Sequence, residues 1–322
     1  MDEFGLIRTY FSPLAAGFPG SLNLTDDAAL IDVPAGKQLV ITKDTISEGI
    51  HFLGTEEASL VAKKLLRVNL SDLAAKGATP LCYLIAACLP ESTDERWVEG
   101  FAEGLKQDQQ EFSLHLAGGD TTKTLGTLSL SLTALGLIDS GKMLKRSGAQ
   151  IGDDIYVSGT LGDAALGLMS LNGELNPNFE RDDELEQRYF LPQPRVTLGQ
   201  KLVGIAHSCM DISDGLVQDL EHICTTSRVG STIHLPSVPL SHSAMRLVSR
   251  YPELWERIIT GGDDYELLFT APASAEKLIA ALAQEVHVPI TRIGTITKGN
   301  KVSVLDAQGS QLTLKKAGYR HF

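Results

Sequence analysis

Two Gly-Gly-Asp segments, each next to an apolar strand-like run, constrain the fold of this chain more than any other feature. Gly118-Gly119-Asp120 follows the run at 114–117, and Gly261-Gly262-Asp263 precedes the run at 265–269. Glycine lets a backbone approach a ligand closely, and it adopts positive φ at little steric cost. An aspartate just past such a pair projects towards whatever is bound there. The repetition predicts two related sites or two walls of one site.

Composition excludes several classes of protein. The 322 residues carry a formal net charge of -12, which argues against broad binding of nucleic acid or anionic membranes. The four cysteines form no C-x-x-C pair, so we expect buried thiols in a reducing compartment. The first residues do not form a secretory signal, and no apolar run is long enough to span a bilayer. These features predict a cytoplasmic protein with no nucleic-acid or membrane partner.

The length is comfortable for two domains. We predict an N-terminal domain at 1–139 and a C-terminal domain at 149–322, with the linker within the basic, glycine-containing stretch 140–152. The predicted helices of the first domain are 3–11, 58–76 and 94–110, and its strands are 28–31, 38–42, 82–89, 114–117 and 127–133. A loop is predicted at 12–25.

The second domain has the same mixed character. Its predicted strands are 153–159, 231–235, 265–270, 290–297, 301–305 and 311–314, and its helices are 163–171, 198–206, 216–227, 242–259 and 274–286, with an exposed loop at 172–183. Polar and apolar residues alternate strictly at 127–133, which is typical of an antiparallel strand with one solvent-exposed face. The predicted class is therefore α/β (α+β), with mixed sheets and helices packed on them.

The helix at 58–76 places one carboxylate unusually. At about 100° per residue, Lys63, Lys64, Arg67 and Ser71 form the polar face, while Asp72 falls near the apolar stripe. A carboxylate there must be paired, hydrogen-bonded or bound to metal.

Seven aspartates are predicted at turns where a strand ends or a helix begins, namely Asp26, Asp27, Asp44, Asp120, Asp211, Asp214 and Asp263. Solubilising acids would instead be scattered over exposed helix faces, as we expect for Glu99, Glu103 and Asp108. If the strand ends converge, the carboxylates repel one another, and this repulsion must be offset by bound cations or by raised carboxyl pKa values. Oxygen ligands favour Mg²⁺ or Mn²⁺, and several such ions indicate phosphates.

The sequence contains none of the common nucleotide-binding motifs: it has no P-loop, no G-x-G-x-x-G and no protein-kinase motifs. Metals, glycine backbone and scattered arginines would have to replace a P-loop lysine. Arg146 is the best basic candidate near a phosphate, although a solvated linker arginine is equally plausible. Ser213 or Asp214 suits a helix N-cap, which is compatible with phosphate or metal binding. His51 alone would be interpreted as an ordinary surface or core histidine.

A set of motifs runs in order from one end of the chain to the other and resembles bacterial thiamine-monophosphate kinase. The motifs are Asp26-Asp27-x-Ala29, Thr42-x-Asp44-Thr45, Glu48-Gly49-x-His51-Phe52, Asn69-x-Ser71-Asp72-Leu73-Ala74-Ala75-x-Gly77-Ala78-x-Pro80, Gly118-Gly119-Asp120-Thr121-Thr122, Arg146-Ser147-Gly148-Ala149, Asp211-x-Ser213-Asp214-Gly215-Leu216, Gly261-Gly262-x-Asp264-Tyr265-Glu266-Leu267 and Gly318-Tyr319-x-His321-Phe322.

The resemblance implies the two-domain fold of the aminoimidazole-ribonucleotide synthetase superfamily and a homodimer. It implies ATP-dependent phosphorylation of thiamine monophosphate to the diphosphate, the last step of thiamine diphosphate synthesis, by direct in-line transfer. The residues that it implies for Mg²⁺ are Asp27, Thr42, Asp44, Asp72, Asp120, Asp211 and Asp214. Those for ATP are Gly119, Asp120, Arg146 and Ser213, and those for the substrate are His51, Asp263 and Tyr319. Catalysis would come from positioning and metals, with no dedicated catalytic side chain; the need for a monovalent cation stays open.

Four positions depart from the family pattern: Thr25 for a glycine, Lys43 for a small hydroxyl, Asp263 for a glutamate, and Lys316 for an aromatic residue. Two alternatives therefore stay open. One is a sister synthetase of the superfamily, such as aminoimidazole-ribonucleotide synthetase or selenophosphate synthetase; the latter would need a reactive cysteine near its N-terminus, and none precedes Cys82. The other is a non-catalytic nucleotide-binding relative.

Overall fold

A computed structural model describes residues 3–175 and 182–319. The chain divides into two compact units. The first contains the described residues up to Leu73 and then Ala78–Gly141; the second contains Ala74–Gly77 and the described residues from Lys142 on. No helix in the described ranges is long and apolar enough to cross a membrane.

The first unit is built on a four-stranded sheet with helices packed against it. Its elements are α1 (Glu3–Leu6), a π-helical turn (Ile7–Phe11), α2 (Ser12–Ala15), a 3₁₀ segment (Pro19–Leu24), β1 (Lys37–Ser47), α3 (Ala58–Ala75), β2 (Thr79–Pro90), α4 (Glu95–Phe112), β3 (His115–Thr124) and β4 (Ser129–Asp139).

The sheet has the order β1-β4-β2-β3. Strand β4 is antiparallel to both β1 and β2, whereas β2 and β3 are parallel and joined through α4. The alternation predicted for β4 is confirmed, because its even-numbered residues from Leu130 to Ala134 are buried and the odd ones between them are half-buried. Helix α4 also begins as predicted: the Asp94 side chain accepts from the Trp97 N–H at 2.8 Å.

The predicted polar face of α3 is wrong. Lys64, Arg67 and Ser71 are buried there. Arg67 donates through Nε to Asp108 Oδ2 at 2.7 Å and through Nη2 to Glu111 Oε2 at 2.8 Å, so ion pairs join α3 to α4. Asp108, expected to be a solubilising acid, is fully buried as the partner of Arg67. Glu99 and Glu103 are exposed as expected.

The segment before β1 also differs from the prediction. Residues 12–25 are partly helical, and residues 28–31 form no strand. The Leu30 N–H donates instead to the Gly20 carbonyl at 2.8 Å. Since a Cβ at Gly20 would lie 2.0 Å from the Leu30 carbonyl oxygen, only glycine permits this approach. The backbone of 28–31 therefore pairs with the 3₁₀ segment rather than with a sheet.

The second unit carries a six-stranded sheet of order β10-β7-β9-β5-β8-β6, in which only the β10–β7 pair is parallel among the described strands. Its elements are β5 (Asp154–Ser158), α5 (Asp163–Leu171), α6 (Asp183–Phe190), α7 (Val196–Leu202), β6 (Ser208–Asp211), α8 (Leu216–Ser227), β7 (Gly230–His234), α9 (His242–Arg250), α10 (Leu254–Thr260), β8 (Leu267–Ala271), α11 (Glu276–Val286), β9 (Ile290–Thr297) and β10 (Val302–Leu305).

Several predicted bounds in this unit need correction. The helix expected at 242–259 is two helices, because Pro252 forces Tyr251 out of the helical region, to ψ +77°. Helix α7 ends at Leu202 rather than 206. No strand forms at 311–314, where Gln311 makes only an isolated bridge to Leu305. Of the loop predicted at 172–183, residues 176–181 lie outside the described residues, as do His321 and Phe322 of the last motif.

Both sheets are mixed and carry helices, which confirms the predicted fold class. The four cysteines are free, and Cys82, Cys209 and Cys224 are buried. Burial raises the pKa of the Cys82 thiol to about 11 and that of Cys209 to about 12.

Candidate active site

The first unit contains a cavity of about 710 Å³ between the N-terminal segment and one face of its sheet. Apolar lining comes from Phe4, Ile7, Phe11, Leu24, Leu84 and Leu116. Polar lining comes from Asp26, Asp27, Lys43, Asp120, Ser131 and Thr133. The cavity therefore brings the neighbours Asp26 and Asp27 together with Asp120, which is distant from them in the sequence, and its mixed lining suits a ligand with both apolar and polar parts.

Strand register explains why Asp120 and Lys43 reach this cavity. Asp120 lies opposite Ala86 on β2, and Ala86 lies opposite Ser131 on β4. Paired residues share a face of the sheet, and Lys43 Nζ donates to the Ser131 hydroxyl. Asp120 was expected at a strand end but lies inside β3, so the sheet face, not its edge, carries this carboxylate.

Thr42 and Asp44 lie on the other face of β1, because side chains alternate along a strand. The Thr42 hydroxyl donates to Asp72 Oδ2 on α3, and the Asp44 N–H donates to Asn69 Oδ1 at 3.2 Å. Asp44 is also inside its strand rather than at the end. The first unit thus places Thr42, Asp44 and Asp72 on its α3 side and Asp27 and Asp120 on its cavity side.

The glycines at 118 and 119 have a different role from the one predicted. Both lie within β3, and neither has a positive φ. A Cβ at Gly119 would lie 2.1 Å from the Ile85 carbonyl oxygen, so this glycine allows β3 to approach β2 closely. His51, in the turn after β1, is half-buried, and its Nδ1 accepts from the Ser47 N–H at 3.1 Å.

In the second unit, three motif segments that are distant in sequence meet through backbone hydrogen bonds. The Asp263 N–H donates to the Ser213 carbonyl at 2.9 Å, and the Tyr319 N–H donates to the Asp214 carbonyl at 3.0 Å. The Gln218 amide donates to Asp214 Oδ2 at 3.1 Å and to the Tyr319 carbonyl at 2.9 Å. Four predicted site residues, Ser213, Asp214, Asp263 and Tyr319, are thereby brought together; Asp211 ends the adjoining strand β6.

The Gly-Gly-Asp-Asp turn is shaped by this packing. A Cβ at Gly262 would lie 2.2 Å from the Ser213 carbonyl oxygen, which explains the glycine. Asp263 follows with φ +70°, in the left-handed region that aspartate tolerates better than most residues. Tyr265 has φ +51° and its hydroxyl donates to Asp263 Oδ1 at 3.2 Å, so β8 begins at Leu267 rather than at 265.

The expected N-cap of α8 is not formed. Gly215 occupies the N-cap position, and neither Ser213 nor Asp214 caps the helix. Instead Asp219 Oδ2, from within the first turn, accepts from the N–H groups of Ser213, Asp214 and Gly215 at 3.0, 3.1 and 3.2 Å. Burial, with the nearby charges of Asp211 and Asp214, raises the pKa of Asp219 to about 8. Sequence reasoning missed Asp219, although an acid in a first helical turn was a usable signal.

Two further buried acids, Asp264 and Glu266, belong to a quoted family motif but received no site role from the sequence. Asp264 Oδ1 accepts from the Gly162 N–H at 2.8 Å, while burial raises the pKa of Asp264 well above its usual range. Glu266 is fully buried and accepts from Arg188 Nη2 at 2.8 Å, Arg195 Nε at 2.7 Å and the Ser158 hydroxyl at 2.6 Å. Both acids fix the strand and turn that carry Asp263.

The raised pKa of Asp264 predicts a pH dependence of stability. Its folded-state pKa exceeds the unfolded value of about 3.9, so its contribution to stability is complete below that pH and is lost as the pH rises through the folded pKa. Asp264→Asn keeps an oxygen acceptor but cannot ionise. We expect urea unfolding to show that the stability of the wild type falls relative to Asp264→Asn as the pH increases. Parallel pH profiles would contradict the buried, protonated carboxyl.

Arg146 lies apart from the motif cluster of the second unit. Its carbonyl accepts from the Ser227 hydroxyl at 3.4 Å, at the C-terminal end of α8. Helix α8 has 12 residues, so this end is about 18 Å from Ser213 and Asp214. The Arg146 side chain is exposed.

Comparison with known proteins gives a consistent result along the chain. Residues 25–138 match the family described as AIR synthase related protein, N-terminal domain, and residues 150–307 match its C-terminal domain. The thiamine-monophosphate kinase of Haemophilus influenzae is 41% identical over 299 residues, covering 92% of this chain and 90% of that protein.

Solved structures of thiamine-monophosphate kinases are also similar to this chain. The crystal structure of thiamine-monophosphate kinase from Stenotrophomonas maltophilia K279a has a TM-score of 0.81 and 43% identity, and the match covers 90% of this chain and 91% of that one. The structure described as AaThiL complexed with AMPPCP and TMP has a TM-score of 0.78 and 32% identity, with 99% of this chain and 97% of that chain covered.

Proposed function

This chain belongs to the thiamine-monophosphate kinase family, and we propose that it transfers the γ-phosphoryl group of ATP directly and in line to thiamine monophosphate, giving ADP and thiamine diphosphate. This reaction would be the last step of thiamine diphosphate synthesis. The observation that carries the proposal is the similarity to proteins of that name over nine-tenths of both chains, 92% and 90%. A relative of known structure was solved in complex with AMPPCP, an ATP analogue, and TMP.

Hard oxygen ligands suit Mg²⁺, and each unit offers its own set. In the first unit these are Asp27 and Asp120 on the cavity side, and Thr42, Asp44 and Asp72 on the α3 side; in the second unit they are Asp211 and Asp214. No three acidic, histidine or cysteine side chains within 3–175 and 182–319 form a ready-made metal site. This fits Mg²⁺, which usually takes one or two carboxylates and completes its shell with phosphate oxygens and water. When bound, Mg²⁺ would neutralise charge on the transferred phosphoryl group.

The nucleotide would be held by Gly119, Asp120, Arg146 and Ser213. Asp120 would act through the metal, because a bare carboxylate repels phosphate. Arg146, the backbone of Gly119 and the Ser213 hydroxyl would supply donors in place of a P-loop. Lys43 adds a positive charge to the cavity that Asp27 and Asp120 line, so these carboxylates alone do not set the number of bound ions.

The acceptor explains the lack of an assigned catalytic base. A phosphate monoester oxygen is already ionised near neutral pH, so the protein needs to align it and to offset its charge rather than to remove a proton. His51, Asp263 and Tyr319 would position thiamine monophosphate. Asp263 and Tyr319 are tied to the residues that follow β6, which gives them a fixed placement in the second unit.

We also propose that the protein is a cytoplasmic homodimer. Ile41 is 62% exposed and Leu84 is 37% exposed on the cavity side of the first sheet, and a second copy would cover such apolar side chains. A molar mass of two chains in light scattering is the expected result, and a single-chain mass at working concentration would contradict the dimer.

Product analysis tests the activity. With ATP, Mg²⁺ and thiamine monophosphate, chromatography should show thiamine diphosphate and ADP in equal amounts. The matched controls omit thiamine monophosphate or replace it with thiamine, which lacks the acceptor phosphate. ADP release that is independent of the acceptor would indicate ATP hydrolysis and contradict the proposed reaction. No product despite ATP binding would also contradict it and would favour a non-catalytic relative.

A further inference from the structure

Asp219 is buried, with 1% of its surface exposed, and lies outside every residue set assigned above. Its Oδ2 atom is the shared acceptor of three consecutive N–H groups, those of Ser213, Asp214 and Gly215. These groups precede α8, so Asp219 fixes the turn that enters the helix. The turn needs such a partner because Gly215, with φ +118° and ψ +146°, provides no capping side chain.

The same turn uses its carbonyl groups to hold two other segments. Ser213 accepts from the Asp263 N–H, and Asp214 accepts from the Tyr319 N–H. Ser213 and Asp214 therefore each donate an N–H to Asp219, and each accepts through its carbonyl from a residue proposed to contact the substrate, Asp263 or Tyr319. Ser213 and Asp214 are half-buried, so their side chains stay accessible while Asp219 binds their backbone N–H groups.

We propose that Asp219 is a positioning residue of the kinase site, which sets the orientation of Ser213 and Asp214 and, through their carbonyls, that of Asp263 and Tyr319. The inference rests on the proposed function for its kinetic consequence only. It requires the geometry of one oxygen atom rather than a negative charge, because all three N–H groups converge on Oδ2.

Two substitutions separate geometry from ionisation. Asp219→Asn keeps one oxygen acceptor at the same distance from the backbone and cannot ionise. Asp219→Glu keeps an ionisable carboxyl group and moves it by one methylene. We expect Asp219→Asn to retain kcat/KM within about threefold, and Asp219→Glu to lower it about 10- to 100-fold, the usual range for a lost supporting contact behind a metal or ligand site. The opposite order, or equal loss in both, would overturn the proposal.

Amide hydrogen exchange provides a readout that does not depend on activity. In Asp219→Glu, exchange should increase in peptides that contain Ser213–Gly215 and also in those that contain Asp263 and Tyr319. In Asp219→Asn, both should match the wild type. Faster exchange confined to the turn before α8 would mean an ordinary helix cap and would overturn the coupling to Asp263 and Tyr319.

Asp306→Ala is the matched control, because Asp306 Oδ1 also accepts from backbone N–H groups, those of Gln308 and Ser310, at 2.9 and 2.8 Å in an exposed loop. It should leave kcat/KM and the exchange of the Asp263 and Tyr319 peptides unchanged. If Asp219→Glu does not fold, Asp219→Ala replaces it with the same expectations. If the wild type lacks kinase activity, the proposed function fails while the exchange measurements still decide the role of Asp219.

Discussion

Asp120→Asn is expected to lower kcat by roughly 10²- to 10³-fold, the cost of removing one charge-stabilising group from an active site. Asp120 lies inside β3 and lines the cavity of the first unit with Asp26 and Asp27. The asparagine has the same shape, so the sheet and the cavity keep their form, but it binds Mg²⁺ weakly and leaves phosphate charge unbalanced.

The folded state should tolerate this change. The Asp120 side chain is exposed and has no hydrogen-bond or ion-pair partner among the residues described. Steady-state ADP release with saturating thiamine monophosphate measures kcat, and a urea midpoint confirms folding. Asp32→Asn is the control, since Asp32 is an exposed acid that does not line the cavity. Near-normal turnover in Asp120→Asn would remove this residue from the proposed metal site.

Glu266→Ala is expected to destabilise the protein by about 3–5 kcal/mol, the usual cost of leaving a buried charge without its partner. Glu266 is 0% exposed, while the side chains of Arg188 and Arg195 are 18% and 20% exposed. The substitution removes the acceptor of both guanidinium groups and of the Ser158 hydroxyl. Since the three donors come from α6, the residue before α7, and β5, the loss should affect the second unit broadly.

Urea denaturation measures this effect directly. The control is Glu285→Ala, which breaks the exposed pair between Lys201 and Glu285 and should cost only about 0–1 kcal/mol. Equal free energies of unfolding for the two variants would show that the Glu266 network contributes no more than a surface ion pair.

The sequence predicted the elements whose pattern is local. The alternation of β4 and the start of α4 next to Asp94 were predicted because each signal lies within a few residues. The burial of Arg67 was not predictable in this way, because it depends on Asp108, 41 residues away in sequence. Residues 28–31 had the composition of a strand but pair with the segment at Gly20, a tertiary contact that periodicity cannot reveal.

In the candidate site, too, features with a local sequence signal were predicted, whereas features that depend on tertiary contacts were not. Motif order named the segments around Ser213, Asp263 and Tyr319, and in the structure hydrogen bonds join these segments. The placement of Asp44 and Asp120 within strands, rather than at their ends, needed the register of the sheet. Asp219 was missed, and Asp264 was quoted only as part of a motif, because the roles of both lie in backbone contacts that the sequence does not show.

Aspartates should bind the polyphosphate only through divalent cations. Calorimetric titration of the full chain with AMPPCP, in Mg²⁺ and then in excess chelator, measures this most directly. We expect tight binding with Mg²⁺ and a loss of at least about 100-fold in affinity without it, because uncompensated carboxylates repel the phosphates. Equal affinity in the two buffers would contradict the account.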